Sequence, residues 1–238
     1  MNKEQHSRTV LLLGEEKFKK LQKAHVLIVG LGGVGGYAAE QIARAGVGKL
    51  TLIDADTVNE SNINRQIIAL HSTIGKNKIT VLKERLIDIN PEIKIHSEKL
   101  FISYENIEEI IKKIKPEYVI DAVDTLMPKV NLIKTCLEQK IPLVSSMGAG
   151  GRLNPENLHI ADISKTYNCG LARMLRKRLH KFNIRTGFKA VFSSEKVNRD
   201  VIIEEKSQNK ITNVGTVSYM PAIFGMFCAS VVIQDLID

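Results

Sequence analysis

The chain has no tryptophan, few aromatic residues and only three cysteines. Aromatic residues make up 5% of its 238 residues, and Cys136, Cys169 and Cys228 are far apart in the sequence. Disulfide-stabilised domains and tetrahedral zinc sites usually have closely paired cysteines, so neither is predicted here. The cysteine content therefore indicates a protein of a reducing compartment, the cytoplasm.

The sequence also shows no secretion signal. Residues 1–20 are polar and charged, without the apolar stretch that a signal peptide requires. The longest late apolar segment, residues 220–236, is interrupted by Pro221 and Gln234. This segment is predicted to be a buried helix rather than a membrane span.

The chain is rich in apolar residues and in positive charge. An apolar content of 44% in 238 residues is enough for a large core. The net charge of +8 favours contact with polyanions without identifying one. The excess is densest between residues 173 and 189, where a solvated helix face and a phosphate-contacting surface are both possible interpretations. This basic cluster has no acidic residue and contains Arg173, Arg176, Lys177, Arg178, Lys181, Arg185 and Lys189.

Short apolar runs alternate with longer helical patterns along the chain, and this alternation predicts an α/β fold. Short runs at residues 26–29 and 49–53 read as strands, and residues 37–45 between them have a helical pattern. The same alternation continues with predicted helices at 76–89, 107–114 and 129–139 and strands at 118–120 and 141–145. It predicts a Rossmann-like, mostly parallel sheet flanked by helices, with right-handed crossovers.

One domain is predicted, with three segments. They are an N-terminal arm at residues 1–24, a nucleotide-binding core at 25–150 and a C-terminal extension of short strands and helices at 151–238. Within the extension, strand-like runs occur at 158–161, 190–192 and 201–203.

A glycine-rich turn follows the first predicted strand. It contains Gly30, Gly32, Gly33 and Gly35, and missing side chains at such a turn let backbone N–H groups and a helix N-terminus approach a phosphate. Asp54, at the end of the next strand, is at the distance expected for a carboxylate that binds ribose hydroxyls. These features alone are also compatible with NAD as the nucleotide. They are compatible, too, with glycines that serve only helix–sheet packing.

Polar residues downstream favour a triphosphate over a dinucleotide. Arg65 and Lys78 are suited to neutralise phosphate charge, and Asp124 at a strand end is suited to hold Mg²⁺. A simple dehydrogenase does not need this set. The sequence therefore predicts ATP, cleaved at its α-phosphate, as the nucleotide.

The chain at this point resembles the ubiquitin-activating-type adenylyltransferases, the group that contains the ThiF, MoeB and HesA proteins. The resemblance covers nearly all of residues 8–149. Within the group the chain is most similar to the tRNA threonylcarbamoyladenosine dehydratases, and it lacks the paired Cys-x-x-Cys motif typical of ThiF and MoeB proteins. The segments that carry this similarity are Asn64-Arg65-Gln66-Ile67-Ile68-Ala69-Leu70, Ile89-Asn90-Pro91, Gly148-Ala149-Gly150-Gly151, Asp162-Ile163-Ser164-Lys165-Thr166 and Val191-Phe192-Ser193-Ser194-Glu195.

The resemblance implies a role for each residue that matches the family pattern. The four glycines would cradle the nucleotide, Asp54 would bind ribose and Asp124 would bind Mg²⁺. Arg8 would enter the ATP site of a neighbouring subunit in a homodimer. The residues that would surround the phosphates are Asp56, Asn62, Arg65, Gln66 and Lys78.

The implied reaction is ATP-dependent cyclisation of threonylcarbamoyladenosine in tRNA through an acyl-adenylate, with the basic cluster contacting tRNA. Some relatives carry a cysteine in the segment that corresponds to residues 210–216, but this chain has none there. Cys228 and Cys169 are expected to be core residues instead. The alternatives are adenylation of a ubiquitin-like sulfur-carrier protein and, from another class, an NAD-dependent oxidoreductase or a non-catalytic nucleotide-binding module. A monovalent cation and a sulfur-transfer partner protein also stay open.

Overall fold

The computed structural model of the protein describes residues 4–204 and 212–238. Two short helices precede the first strand, and strands then alternate with helices until the last long helix. The helices are α1 Ser7–Leu13, α2 Glu15–Lys23, α3 Gly35–Arg44, α4 Lys78–Ile89, α5 Ile107–Ile114, α6 Leu126–Glu138, α7 Gly170–Leu179 and α8 Tyr219–Ile237. The strands are β1 His25–Val29, β2 Lys49–Ile53, β3 Lys94–Glu98, β4 Tyr118–Asp121, β5 Leu143–Ser146, β6 Leu158–Asp162, β7 Lys189–Ser193, β8 Ile202–Glu204 and β9 Thr212–Val214.

Seven strands form the central sheet in the order β3-β2-β1-β4-β5-β7-β6. All neighbouring pairs are parallel except β6 and β7. The chain moves outward from β1 in one direction through β2 and β3, and in the other direction through β4 and β5. This reversal leaves a crevice between β1 and β4 at the carboxyl edge of the sheet, where open α/β sheets bind ligands. The predicted α/β fold is confirmed.

Helices cover both faces of the sheet. One apolar cluster joins α3, α4 and α8 to Val26 and Ile28 of β1, and the other joins α5, α6 and α7 to Leu27 and Val29 of the same strand. Because β1 is buried on both faces, the residues that follow His25 in it are apolar without alternation. This double burial explains why its short apolar run was readable as a strand.

Helix α8 is long and apolar enough to cross a membrane by length and composition alone. It packs against α3 so closely that a Cβ at Gly225 would lie 2.3 Å from the Val34 carbonyl oxygen. Met220, Phe224 and Cys228 on α8 are fully buried in the core. The position of α8 is therefore that of the buried helix predicted from the sequence.

Several elements differ from the prediction in their boundaries or were not predicted. Strand β3 was not predicted because, as an edge strand, it mixes polar residues with a single apolar one. Helix α4 begins two residues late, at Lys78, because Asn77 pairs with Thr57 in a β-bridge. Helix α6 begins three residues early, at Leu126, because its proline lies in the first turn, where no N–H donor is needed.

Strands β6 and β7 join the central sheet, although they belong to the predicted C-terminal extension. The sheet thus runs across residue 150. The partition into arm, core and extension stays a prediction.

Candidate active site at the carboxyl edge of the sheet

The glycine turn connects β1 to α3 next to the crevice. Gly30 has a φ of +86°, and a Cβ there would lie 2.7 Å from the Ala122 carbonyl oxygen of the neighbouring β4 loop. A Cβ at Gly35 would lie 1.8 Å from the Gly30 carbonyl oxygen. These two glycines are therefore required by the turn itself. A Cβ at Gly33 would press on Pro221 of α8 at 2.9 Å, whereas one at Gly32 would meet only ordinary contact with Gln66 at 3.6 Å.

Asp54 follows β2 and ties the glycine turn to the next loop. Its Oδ2 accepts a hydrogen bond from the Leu31 N–H at 2.6 Å, and its Oδ1 accepts one from the Asp56 N–H at 2.8 Å. Burial raises the pKa of the Asp54 carboxyl, while nearby Lys78 and these two N–H donors oppose that rise. The carboxyl is thus fixed in orientation beside the glycine turn.

Lys78 and Asp56 form an ion pair at the start of α4. The Lys78 Nζ lies 2.8 Å from Asp56 Oδ2. The lysine side chain is 6% exposed, and the aspartate side chain is 65% exposed. Because the ammonium is buried and its carboxylate partner is exposed, a phosphate that enters the crevice can also accept hydrogen bonds from Lys78.

The loop between β2 and α4 brings three predicted residues to the same edge. Arg65 donates from Nη1 to the Ser61 carbonyl at 2.8 Å and to Asn64 Oδ1 at 2.7 Å. Asn62 is buried, and its Oδ1 accepts the Asn59 N–H at 3.1 Å, so this oxygen shapes the loop. Gln66 is also buried, and within the part of the chain that the structure describes its Oε1 has no hydrogen-bond donor.

Asp124 lies in the loop after β4, across the crevice from the glycine turn. Its side chain is exposed, and the Thr125 hydroxyl approaches its Oδ1 at 3.3 Å. Among residues 4–204 and 212–238, no group of three or more His, Cys, Asp or Glu side chains is placed to hold a metal ion. Mg²⁺ usually takes one or two carboxylates together with substrate phosphates, so a single aspartate fits this ion better than a structural metal.

A buried polar cluster beneath Asp124 was missed by the sequence analysis. Lys129 and Asp121 are both fully buried, and Lys129 Nζ lies 2.7 Å from Asp121 Oδ2. The ammonium also donates to the Ser146 carbonyl at 3.0 Å, and the Ser145 hydroxyl donates to Asp121 Oδ2 at 2.6 Å. This cluster holds the loop that carries Asp124 between β4 and α6. No signal in the sequence marks it, because a lysine near a helix start normally faces solvent.

Arg8 is not brought to this site. It is exposed on α1, two residues after His6, whose ring packs against Phe18. A Cβ at Gly46, just before β2, would lie 3.4 Å from His6, so α1 begins near the amino edge of the sheet. The strands of the sheet separate this edge from the crevice by about 16 Å.

The basic cluster is only partly a free surface. Arg176 donates to the carbonyl oxygen of Thr166 at 2.9 Å and is half-buried. Lys189 forms an ion pair with Asp235 of α8. These two residues therefore serve the fold. The exposed members are Arg173, Lys177, Arg178, Lys181 and Arg185.

The three cysteines are buried, as predicted for Cys169 and Cys228. Burial raises the pKa of the Cys136 and Cys228 thiols to about 12. Cys169 is the N-cap residue of α7 and is 5% exposed. Of the segment 210–216, residues 210 and 211 lie outside the described residues.

Comparisons with known proteins agree with the fold. Residues 6–238 match the family model described as ThiF family. The tRNA threonylcarbamoyladenosine dehydratase of Bacillus subtilis is 37% identical over 98% of this chain and 94% of that protein. A crystal structure of the Escherichia coli tRNA N6-threonylcarbamoyladenosine dehydratase, TcdA, in complex with ATP superposes with a TM-score of 0.89 at 35% identity, covering 98% of this chain and 94% of that one.

The resemblance to the adenylyltransferases of carrier proteins is shorter. The molybdopterin-synthase adenylyltransferase of Haemophilus influenzae is 38% identical, but over 53% of this chain and 51% of that protein. The similarity to the Bacillus subtilis dehydratase thus spans nearly the whole chain, whereas the similarity to this adenylyltransferase spans about half of it. The chain, with its glycine turn at a parallel-sheet switch point, belongs to the ThiF family.

Proposed function

We propose that the protein is an ATP-dependent tRNA-modifying enzyme that dehydrates threonylcarbamoyladenosine. The observation that carries this proposal is the grouping of Asp54, Lys78 and Asp124 around the glycine turn at the switch point. Along one crevice, this arrangement supplies a carboxylate that can accept hydrogen bonds from ribose, a buried cation that can bind phosphate and a carboxylate that can bind a metal ion. The full-length similarity to dehydratases supports the choice of substrate.

ATP is the nucleotide that these side chains suit. The α3 N-terminus and its glycine turn offer backbone N–H donors, and Gly32 leaves space beside them. In this proposal Asp54 accepts from ribose, while Asp56, Asn62, Arg65, Gln66 and Lys78 surround the phosphates. The Gln66 Oε1, buried without a donor, would gain one from the bound nucleotide or substrate.

Mg²⁺ is the metal that the donor set fits. Asp124 would hold it, and when bound it would neutralise charge that develops on the phosphates. The side chains of the protein then have separate tasks. Lys78 and Arg65 stabilise negative charge on the phosphates, and the Lys129–Asp121 pair keeps the Asp124 loop in position.

The proposed chemistry has two steps. A carboxylate oxygen of the threonyl group attacks the α-phosphorus of ATP, and pyrophosphate leaves. The substrate's own carbamoyl nitrogen then attacks the activated carbonyl, loses its proton and expels AMP, which closes a five-membered ring. Intramolecular closures have effective molarities on the order of 10⁵ M or more, so no protein nucleophile is required. The burial of all three cysteines is compatible with this route.

The competing candidate is an adenylyltransferase for a ubiquitin-like sulfur-carrier protein. It would use the same crevice and present a C-terminal glycine carboxylate. The exposed cations of α7 favour tRNA instead, because they form a surface suited to binding a polyanion. A cytoplasmic location is part of the proposal, since tRNA is the substrate.

The proposed function is tested by incubating the protein with Mg²⁺, ATP and tRNA that carries threonylcarbamoyladenosine. We expect the modified nucleoside, measured by mass spectrometry after digestion, to lose one water molecule only when ATP is present. Matched tRNA without the modification is the control. An unchanged nucleoside mass, together with pyrophosphate release that depends on an added carrier protein, would favour the competing candidate.

A homodimer with Arg8 acting across the interface is also proposed. Helix α1 places Arg8 far from its own crevice, and its Leu11 and Leu12 side chains are 88% and 84% exposed. Two adjacent apolar side chains with this exposure are suited to packing on a second copy.

Mixing two inactive variants tests the shared site. Arg8→Ala and Asp124→Ala subunits, denatured together and refolded, are expected to regain about a quarter of wild-type activity, because half of the molecules are mixed dimers with one intact site. Activity of the mixture is compared with each variant refolded alone. Mixed dimers that form without any recovery would show that Arg8 does not act in the neighbouring site.

A further inference from the structure

The structure contains an exposed aromatic side chain on a rigid base at the carboxyl edge of the sheet. Tyr167 is 51% exposed. Its ring is at 75° to that of Phe192, with centroids 5.5 Å apart, and its centroid lies 6.0 Å from that of the His159 ring. Phe192 is 1% exposed, so the stack is anchored in the core. We call Tyr167, His159 and Phe192 the aromatic platform.

The segment around Tyr167 is held at the edge where the candidate active site lies. Asn168 has a left-handed φ of +51°, and its Nδ2 donates to the Ser194 carbonyl at 3.0 Å, just beyond the carboxyl end of β7. The Arg152 guanidinium donates to the Asn168 carbonyl at 3.1 Å from the other side. Tyr167 is therefore fixed on the same edge as Asp124, two strands along the sheet.

Cationic side chains follow the platform tyrosine in the next helix. Arg173 and Lys177, both exposed, lie four residues apart on α7 and so share one face of the helix. Arg152 is 2% exposed, and within residues 4–204 and 212–238 its Nε and Nη1 atoms have no hydrogen-bond acceptor. Within the part of the chain that the structure describes, no carboxylate pairs with this buried guanidinium, so its charge adds to the positive potential at this surface.

We propose that Tyr167 stacks on an unpaired base of the anticodon loop next to the modified adenosine, while Arg173 and Lys177 contact the phosphates that follow. This inference rests on the proposed function. Single-stranded RNA is recognised in this way, by aromatic faces for bases and by cations for the backbone. The C-terminal segment of a carrier protein would not need an exposed aromatic ring and nearby cations.

The test compares Tyr167→Leu with Tyr167→Phe, because only the phenylalanine keeps a stacking face. We expect Tyr167→Leu to raise KM for tRNA about 10-fold, which corresponds to about 1.4 kcal/mol, and Tyr167→Phe to stay within twofold of the wild type. The Kd for ATP should be unchanged in both. Tyr104→Leu is the matched control, since Tyr104 is 70% exposed and follows β3, roughly 24 Å away along the sheet.

Three results would overturn the inference while leaving the proposed function intact. They are an unchanged KM in Tyr167→Leu, an equal loss in Tyr167→Phe, and a loss of ATP affinity that parallels the loss for tRNA. Wild-type protein that does not dehydrate tRNA at all would instead refute the proposed function.

A second measurement uses only the wild-type protein and does not depend on the folding of a variant. An anticodon stem-loop with 2-aminopurine beside the modified adenosine should change fluorescence on binding if its base stacks on Tyr167. Binding without any fluorescence change at the positions on either side would overturn the inference.

Discussion

Replacing Asp124 with alanine is expected to lower kcat for tRNA dehydration by a factor on the order of 10³. The reason is that the exposed carboxylate after β4 is the proposed ligand of Mg²⁺, whose charge stabilisation is worth several kcal/mol, and each 1.36 kcal/mol corresponds to tenfold in rate. The measurement is single-turnover kinetics with saturating ATP over a range of Mg²⁺ concentrations.

Two controls make this prediction specific. Asp88→Ala removes another exposed carboxylate, near the end of α4, and should leave kcat unchanged. Asp124→Asn keeps one oxygen ligand and should recover part of the rate at high Mg²⁺. A kcat for Asp124→Ala within threefold of the wild type would remove Asp124 from the proposed metal site.

Replacing Lys129 with methionine is expected to destabilise the fold by about 3–5 kcal/mol. Asp121 and Lys129 are fully buried, so removal of the ammonium leaves a buried carboxylate without its counter-charge. This loss is a large part of the roughly 5–15 kcal/mol that keeps a typical domain folded. The free energy of unfolding is measured by urea denaturation.

A double variant separates the buried charge from the loss of packing. Lys129→Met combined with Asp121→Asn has no buried charge, and its amide oxygen can still accept from the Val123 N–H while its NH2 group donates to the Ser145 hydroxyl. We expect the double variant to be more stable than Lys129→Met alone. Lys112→Met, which breaks an exposed pair with Glu108, should cost less than about 1 kcal/mol. Equal losses in the single and double variants would contradict this account.

The alternation of short apolar runs with helical patterns was sufficient to predict the α/β fold. Strands such as β1 are buried on both faces, so they consist mostly of apolar residues and can be recognised by this composition. The glycine turn was predictable for a similar reason, because Gly30 and Gly35 occupy positions that no other residue can take without a clash. Residues required by backbone geometry or by complete burial are visible in a sequence.

The edge strand β3 and the true starts of α4 and α6 were not visible. Edge strands contact water on one side, so their residues need not be apolar. The start of α4 depends on a β-bridge between Asn77 and Thr57, a pairing between distant parts of the chain. Such contacts leave no local periodicity.

The sequence alone predicted most of the central sheet, the glycine turn and the polar residues that follow the strands. Which charges are buried and which are exposed depends instead on how the helices pack on the sheet. Lys129 and Arg176 look like surface cations in the sequence, yet one pairs with Asp121 in the core and the other donates to the Thr166 carbonyl. Their partners are set by the packing of α6 and α7 on the sheet, and charge alone carries no information about that packing.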